Sequence, residues 1–219
     1  DWLRDELPNG GVTGFDPWLH TADDIETLEI GLTGSRISLR PTANLVDAIW
    51  PDQPAPPTGK ITPYPETLAG ESHAAKRARL AAELRNQGQE AVALTLPDSI
   101  AWLLNIRGSD ISRNPVPHCF AILHDNAHLT LFVDAAKLDD TLRAHLGTDI
   151  TLRPVSAFGP ALRSLTGTVR VDKNTAPVWI KHQLTEADVP CAWAADPCLL
   201  PKARKNPAEI AGTTEAHLR

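Results

Sequence analysis

Asn105, Arg107, Gly108, Ser109 and Asp110 bring amide, guanidinium, hydroxyl and carboxylate groups together within the stretch Thr95–Asp110. Such a set, held at the end of a packed element, suits the positioning of a ligand better than the same groups on a free loop. Two uses are open for it: lining a binding edge, or tying the loop down, with Arg107 and Asp110 paired to each other or to Asp98. The elements that must hold these groups are legible nearby. The apolar run Ala91–Leu96 reads as a buried strand, and Pro97 pre-sets φ for the first turn of a helix. Ile100, Ala101, Leu103 and Leu104 recur at helical spacing and should lie against a sheet. Gly108 is expected to turn the backbone at positive φ.

Other chemistries find less support. Ser99, Ser109, His118, His124 and Asp134 could be written as a triad, but no G-x-S-x-G elbow places a serine at a strand-to-helix turn. HExxH, GxGxxG and GxxxxGK[ST] are all missing, which argues against a zincin, a Rossmann domain and a P-loop. His124 and His128 flank a hairpin turn without a visible third metal ligand. With 21 Lys and Arg against 27 Asp and Glu, the formal charge is −6 and no basic patch suggests nucleic acid. No apolar run reaches the 18 or so residues of a membrane span. The three cysteines lack metal-ligand spacing and are expected as buried, reduced thiols of a cytoplasmic protein. The sequence contains no Met, so the chain is expected to lack its beginning.

At 219 residues and 42% hydrophobic content the chain can bury a sizeable core, and its apolar segments divide into two groups. In the first, a helix tail precedes Pro8, Val12–Phe15 reads as a strand, and Thr21 with Asp24 forms a capping box for a helix over 22–32. Arg36–Leu39 reads as a second strand, and Asn44–Trp50 as a helical turn offering Leu45, Val46, Ile49 and Trp50 for packing. Prolines and a glycine then break the chain repeatedly over 51–65, making it extended and stiff.

The second group opens with a helix capped by Ser72, with Ala75, Ala78, Leu80 and Leu84 inward and Lys76, Arg77, Arg79 and Glu83 outward. After the Asn105–Asp110 loop, two strands form a hairpin around Asp125-Asn126. Lys137–Leu146 reads as a helix, Thr151–Arg153 as an edge strand and Ala157–Leu165 as a helix. Val169–Val171 reads as a central strand, Thr175 as the cap of a helix carrying Val178, Trp179 and Leu184, and Ala192–Ala194 as a last strand. Strands alternating with helices argue for layered α/β packing on a mixed sheet. Asn206, Pro207 and Glu209 form a clear helix start, with Ile210 and Leu218 left without an obvious burial partner.

Taken in order, six segments resemble the non-catalytic N-terminal part of the aminopeptidase P branch of the creatinase and prolidase family. They are Gly14-Phe15-Asp16-Pro17-Trp18-Leu19-His20-Thr21, Asn44–Trp50, Pro97–Asp110, Asn114-Pro115-Val116-Pro117, Leu131-Phe132-Val133-Asp134 and Asp196–Asn206. The resemblance implies an α/β, creatinase N-terminal-like (ribonuclease H-like) domain with a mixed twisted sheet flanked by helices, preceded by the tail of a related domain. It implies three pieces: 1–58 as the end of a first domain with a linker over 51–65, 66–205 as a second domain, and 206–219 as the opening helix of a missing catalytic domain.

In the family that missing domain removes the N-terminal residue from peptides with proline second. It uses two divalent metals, usually manganese, held by two Asp, one His and two Glu. None of those positions falls in this sequence, so no catalytic residue and no cofactor is expected in it. The resemblance places Asn105, Arg107 and Asp110 on the rim of the substrate cleft. Its implied partners are the catalytic domain, short peptides with proline at position two and a second copy in a homodimer, with neither nucleic acid nor membrane. A catalytically inactive homologue with a binding or regulatory role is the alternative.

Overall fold

The computed structural model describes residues 2–218. Helix α1 (Trp2–Glu6) leads into strand β1 (Gly11–Phe15), helix α2 (Ala22–Gly31), strand β2 (Ile37–Pro41) and helix α3 (Leu45–Ile49). β1 and β2 pair in parallel, Gly11 opposite Ile37, so the second strand starts and ends later than the expected Arg36–Leu39. The capping box at the start of α2 is complete: Thr21 Oγ1 accepts from Asp24 N–H, and the Asp24 carboxylate accepts from Thr21 N–H. Those bonds satisfy donors that a helix start otherwise leaves open, and they hold the Asp24 carboxyl below its ordinary value. The apolar side chains of α3 stay exposed, Leu45 at 69% and Ile49 at 79%.

After the proline-rich segment come β3 (Thr62–Pro63), α4 (Glu66–Ala69), α5 (His73–Asn86), β4 (Ala91–Leu94), α6 (Pro97–Leu104) and β5 (Ile106–Arg107). Then follow β6 (Phe120–His124), β7 (Leu129–Phe132), α7 (Asp140–Leu146), β8 (Ile150–Arg153), α8 (Phe158–Arg163), β9 (Val169–Val171), α9 (Val178–Glu186), β10 (Cys191–Trp193), α10 (Leu199–Ala203) and α11 (Pro207–His217). Six strands form one mixed sheet in the order β10-β9-β4-β6-β7-β8. β6 alone runs against the others, because a tight turn joins it to β7 whereas the parallel neighbours need helical crossovers.

Both faces of this sheet are covered. Val92 and Leu94 of β4 pack with Leu80, Leu84, Ile100, Leu104 and Leu142 on one side. Ala91 and Ala93 meet Phe158, Leu162, Ile180 and Leu184 on the other. A strand buried on both faces loses the alternation of a half-exposed one, so its sequence reads as an unbroken apolar run.

Contacts join the first group of elements to the sheet domain. Val178 N–H donates to His20 O and Trp179 N–H to Pro17 O, at 2.9 and 3.1 Å. The Trp18 ring stacks on Trp179 at 4.0 Å and tilts against Phe120 at 5.6 Å. Lys173 Nζ lies 3.2 Å from the Asp23 carboxylate and 2.8 Å from that of Glu26.

Four local expectations are corrected. On α5, Lys76 and Arg77 are buried while Ala75 and Ala78 are exposed. The inward face follows Leu80 and Leu84, and the lysine and arginine stems lie along it with their heads on carbonyl oxygens. α9 starts after Pro177 without a side-chain cap, so Thr175 is not its cap. Lys137–Leu146 is not one helix: a 3-10 turn over Ala135–Lys137, capped by Asp134, precedes α7, capped by Asp139. The left-handed residue after α6 is Asn105, at φ 50°, and Gly108 is not at positive φ. Gly108 serves close approach instead, since a Cβ there would lie 2.5 Å from Pro117 N.

Candidate functional site

α6 ends where Asn105 takes the left-handed conformation, which a short polar side chain tolerates when it can bond locally. Both ends of its side chain are bonded. Oδ1 accepts from Lys76 Nζ at 2.7 Å, and Nδ2 donates to Glu71 O at 2.9 Å. Its carbonyl accepts from Tyr64 N–H at 2.7 Å. Lys76 Nζ also donates to Trp102 O at 2.9 Å and lies 4.4 Å from the centroid of the Trp102 ring. Burial pushes the Lys76 amine down to about 8, against the pull of Glu71 and Glu209 and with the repulsion of Arg107 and Arg79.

One residue further, β5 pairs antiparallel with β3, Arg107 opposite Thr62. That pairing sets the Arg107 guanidinium over the Tyr64 ring at 3.8 Å. Nη1 donates to Ile106 O at 2.8 Å, and the side chain forms no ion pair among the described residues. Arg107, Tyr64 and Lys205 line a groove of about 490 Å³ against α11. Its Glu209 is committed locally, accepting from Asn206 N–H in the capping box that opens α11.

Asp110 lies elsewhere. Its carboxylate Oδ2 accepts from Lys137 Nζ at 2.5 Å and from His118 N–H at 2.6 Å, and the Asp110 and Lys137 side chains are buried. Burial pushes this carboxyl up, but the bonds from Lys137 and His118 outweigh it and hold it below the usual carboxylate range. Lys137 faces a second recess, an apolar cleft of about 620 Å³ walled by Pro56, Pro57, Pro97 and Phe120. The proline-rich segment is fastened beside it: Ile61 N–H donates to Lys137 O, and Lys60 Nζ donates to Ala136 O. Gly59 passes so close that a Cβ would lie 2.3 Å from Ser109 Oγ.

The three residues expected on one rim are therefore distributed. Asn105 is buried in the joint, Arg107 lines the groove, and Asp110 supports the cleft through Lys137. Arg107 and Asp110 do not pair with each other, and Asp98 pairs with Lys202. The residues written as a triad do not converge: Ser99 is buried, Asp134 caps the 135–137 turn, and His124 sits beside His128 on the hairpin. Cys119 is sealed in the core, where burial pushes its thiol up to about 12 and so away from nucleophilic use at neutral pH. Cys198 is buried as well, and Cys191 is half-buried.

Lys76, Trp102, Tyr64 and Lys137 were not singled out by the sequence. A signal for Lys76 existed, because it stands four and eight residues before the inward Leu80 and Leu84. Among the described residues, no three His, Cys, Asp or Glu side chains gather as a metal-holding group, so these residues do not fit a metal centre.

Residues 52–209 match the Creatinase/Prolidase N-terminal domain family. A protein of Aspergillus clavatus named "Probable Xaa-Pro aminopeptidase P" is 32% identical over 230 residues, covering 100% of this chain and 35% of that protein. A namesake from Aspergillus flavus is 33% identical over 237 residues, with the same coverage. Among solved structures, an X-prolyl aminopeptidase from Caenorhabditis elegans, a cytosolic enzyme with a di-nuclear active site, matches 100% of this chain and 37% of its own. The TM-score is 0.88 at 28% identity. The chain thus spans about a third of the length of these relatives.

Proposed function

This chain belongs to the Creatinase/Prolidase N-terminal domain family, and from that premise we propose that it is the non-catalytic N-terminal region of an Xaa-Pro aminopeptidase. In this reading it shapes access to a dinuclear-metal catalytic domain formed by other residues. The observation that carries the reading is the match of the whole chain, at a TM-score of 0.88, to one third of the C. elegans enzyme. The lack of a metal-holding group among the described residues is consistent with it. The same comparison supports a cytoplasmic setting and two divalent metals, manganese by the family resemblance, in the longer protein. A homodimer is part of the same reading.

The substrates would be short peptides with proline second. Such a residue has no amide N–H and a fixed φ, so a site for it must be shaped around the ring rather than around a hydrogen bond. Of the residues expected at the rim, Arg107 has the geometry to touch a peptide. Its guanidinium is braced from below by Tyr64, and N–H groups beyond Nη1 remain for a carbonyl or carboxylate. Asn105 and Asp110 would act as supports, one behind each recess.

The test is made on the full-length protein. It is expected to cleave Xaa-Pro peptides, and Arg107→Ala is expected to raise KM for tripeptides several-fold with bound metal unchanged. An unaltered KM would remove Arg107 from the rim. A full-length protein that neither holds two metals nor cleaves these peptides would point to the inactive homologue instead.

A further inference from the structure

We propose that Lys76 is the positioning residue of the Tyr64–Arg107 pair: its buried ammonium holds Asn105 in the left-handed conformation, and Asn105 in turn holds Tyr64. The consequence for peptides rests on the reading that Arg107 borders the substrate path, but the joint itself does not depend on it. The chain of contacts is continuous. Lys76 Nζ bonds Asn105 Oδ1 and Trp102 O, Asn105 Nδ2 bonds Glu71 O, and Asn105 O receives Tyr64 N–H. The Tyr64 ring then carries the Arg107 guanidinium. Two stretches of chain, one from β3 to the start of α5 and the other from the end of α6 into β5, therefore meet around one cation.

That cation has no carboxylate within ion-pair distance among the described residues. It is satisfied by two carbonyl-type oxygens and the face of an indole, which makes its grip depend on its charge. The charged groups around it are Arg79 on its own helix, Glu71 before that helix, Arg107 on β5 and Glu209 on α11. Their effects oppose one another, and burial decides the balance, leaving the amine at about 8. Loss of its proton turns two charge-assisted hydrogen bonds into ordinary ones and removes the attraction to the Trp102 ring. The joint then loosens, while a carboxylate-paired lysine would stay locked over the same range.

Tyr64 is the only tyrosine in the sequence, so tyrosine labelled with 13C gives a single reporter placed one hydrogen bond from Asn105. In the 219-residue chain its Cα signal is expected to show an inflection near pH 8. The inflection should vanish in Lys76→Met. In case that variant does not fold, Asn105→Gly keeps the left-handed turn but removes an acceptor from the ammonium, and should move the inflection to lower pH. A signal without inflection between about pH 7 and 9, or one unmoved in both variants, overturns the proposal.

In the full-length protein, KM for tripeptides is expected to rise roughly two- to tenfold through the same range, as for the weakening of one hydrogen-bonded contact. Lys76→Met should flatten that rise. An inflection at Tyr64 with a KM indifferent to pH would uphold the joint and strike out the peptide rim, so the two ideas fail separately.

Discussion

Lys76 and Lys137 are both almost wholly buried, at 1% and 3% exposure, but they are held in different ways. Lys137 meets the Asp110 carboxylate at 2.5 Å beneath the apolar cleft. Lys76 meets an amide oxygen, a backbone carbonyl and an indole. Removing one member of an ion pair strands the other charge in the interior, whereas removing a cation from neutral partners leaves only dipoles unsatisfied. The first arrangement is therefore a structural clamp, and the second can be released by loss of a proton.

The largest expected effect tests the clamp. Lys137→Met should lower unfolding stability by about 3–5 kcal/mol in urea titrations, the range for a buried pair broken from one side. A loss under about 1 kcal/mol would show that the cleft hydrates the stranded carboxylate, as at a surface pair. The acid response follows from the direction of the Asp110 shift. Its carboxyl is held low, so its contribution is present above the unfolded value near 4 and is lost as pH falls through the folded one. The advantage of the natural protein over Asp110→Asn should accordingly shrink below about pH 4.

Lys76 should respond in the same sense but in an alkaline window. Its amine is lowered in the fold, so between about 8 and 10.5 the unfolded chain binds the extra proton. Unfolding stability relative to Lys76→Met is then expected to increase across that window, by at most about 3 kcal/mol. Denaturant titrations at pH 8 and 10 measure it, and equal differences at both would mean that burial does not lower the amine. Local loosening at Tyr64 without global loss would be the combined signature of a cation held by neutral partners.

A smaller effect separates Asn105→Ala from Asn105→Gly. Both lose the bonds to Lys76 and Glu71, but only alanine resists the left-handed turn, by about 1–2 kcal/mol. Smallest is the stability change in Arg107→Ala, within about 1 kcal/mol for a half-exposed stacked cation. A larger loss would move Arg107 from the groove's chemistry to its architecture.

These contrasts also mark what a sequence can disclose. The capping boxes of Thr21 with Asp24 and of Asn206 with Glu209 were legible because each closes within four residues. β4 and the start of α6 were legible because an apolar run and a proline declare themselves locally. Lys76 was not, since its partners Trp102 and Asn105 stand 26 and 29 residues away and only the packed helices bring them near. The same holds for Lys137 and Asp110, 27 residues apart. Gly108 misled for another reason: absence of a side chain can serve a turn or a close neighbour, and its neighbour, Pro117, is visible only in space.

The proline-rich segment is fastened at one end to the 135–137 turn, while the elements before it are fastened to α9 through Trp18 and to Lys173, ahead of α9, through Asp23 and Glu26. Its exposed stretch from Pro51 to Thr58 is thus a bridge between two banks that already touch. A protease that severed the bridge would leave the two halves travelling together through a sizing column, and only a denaturant would part them.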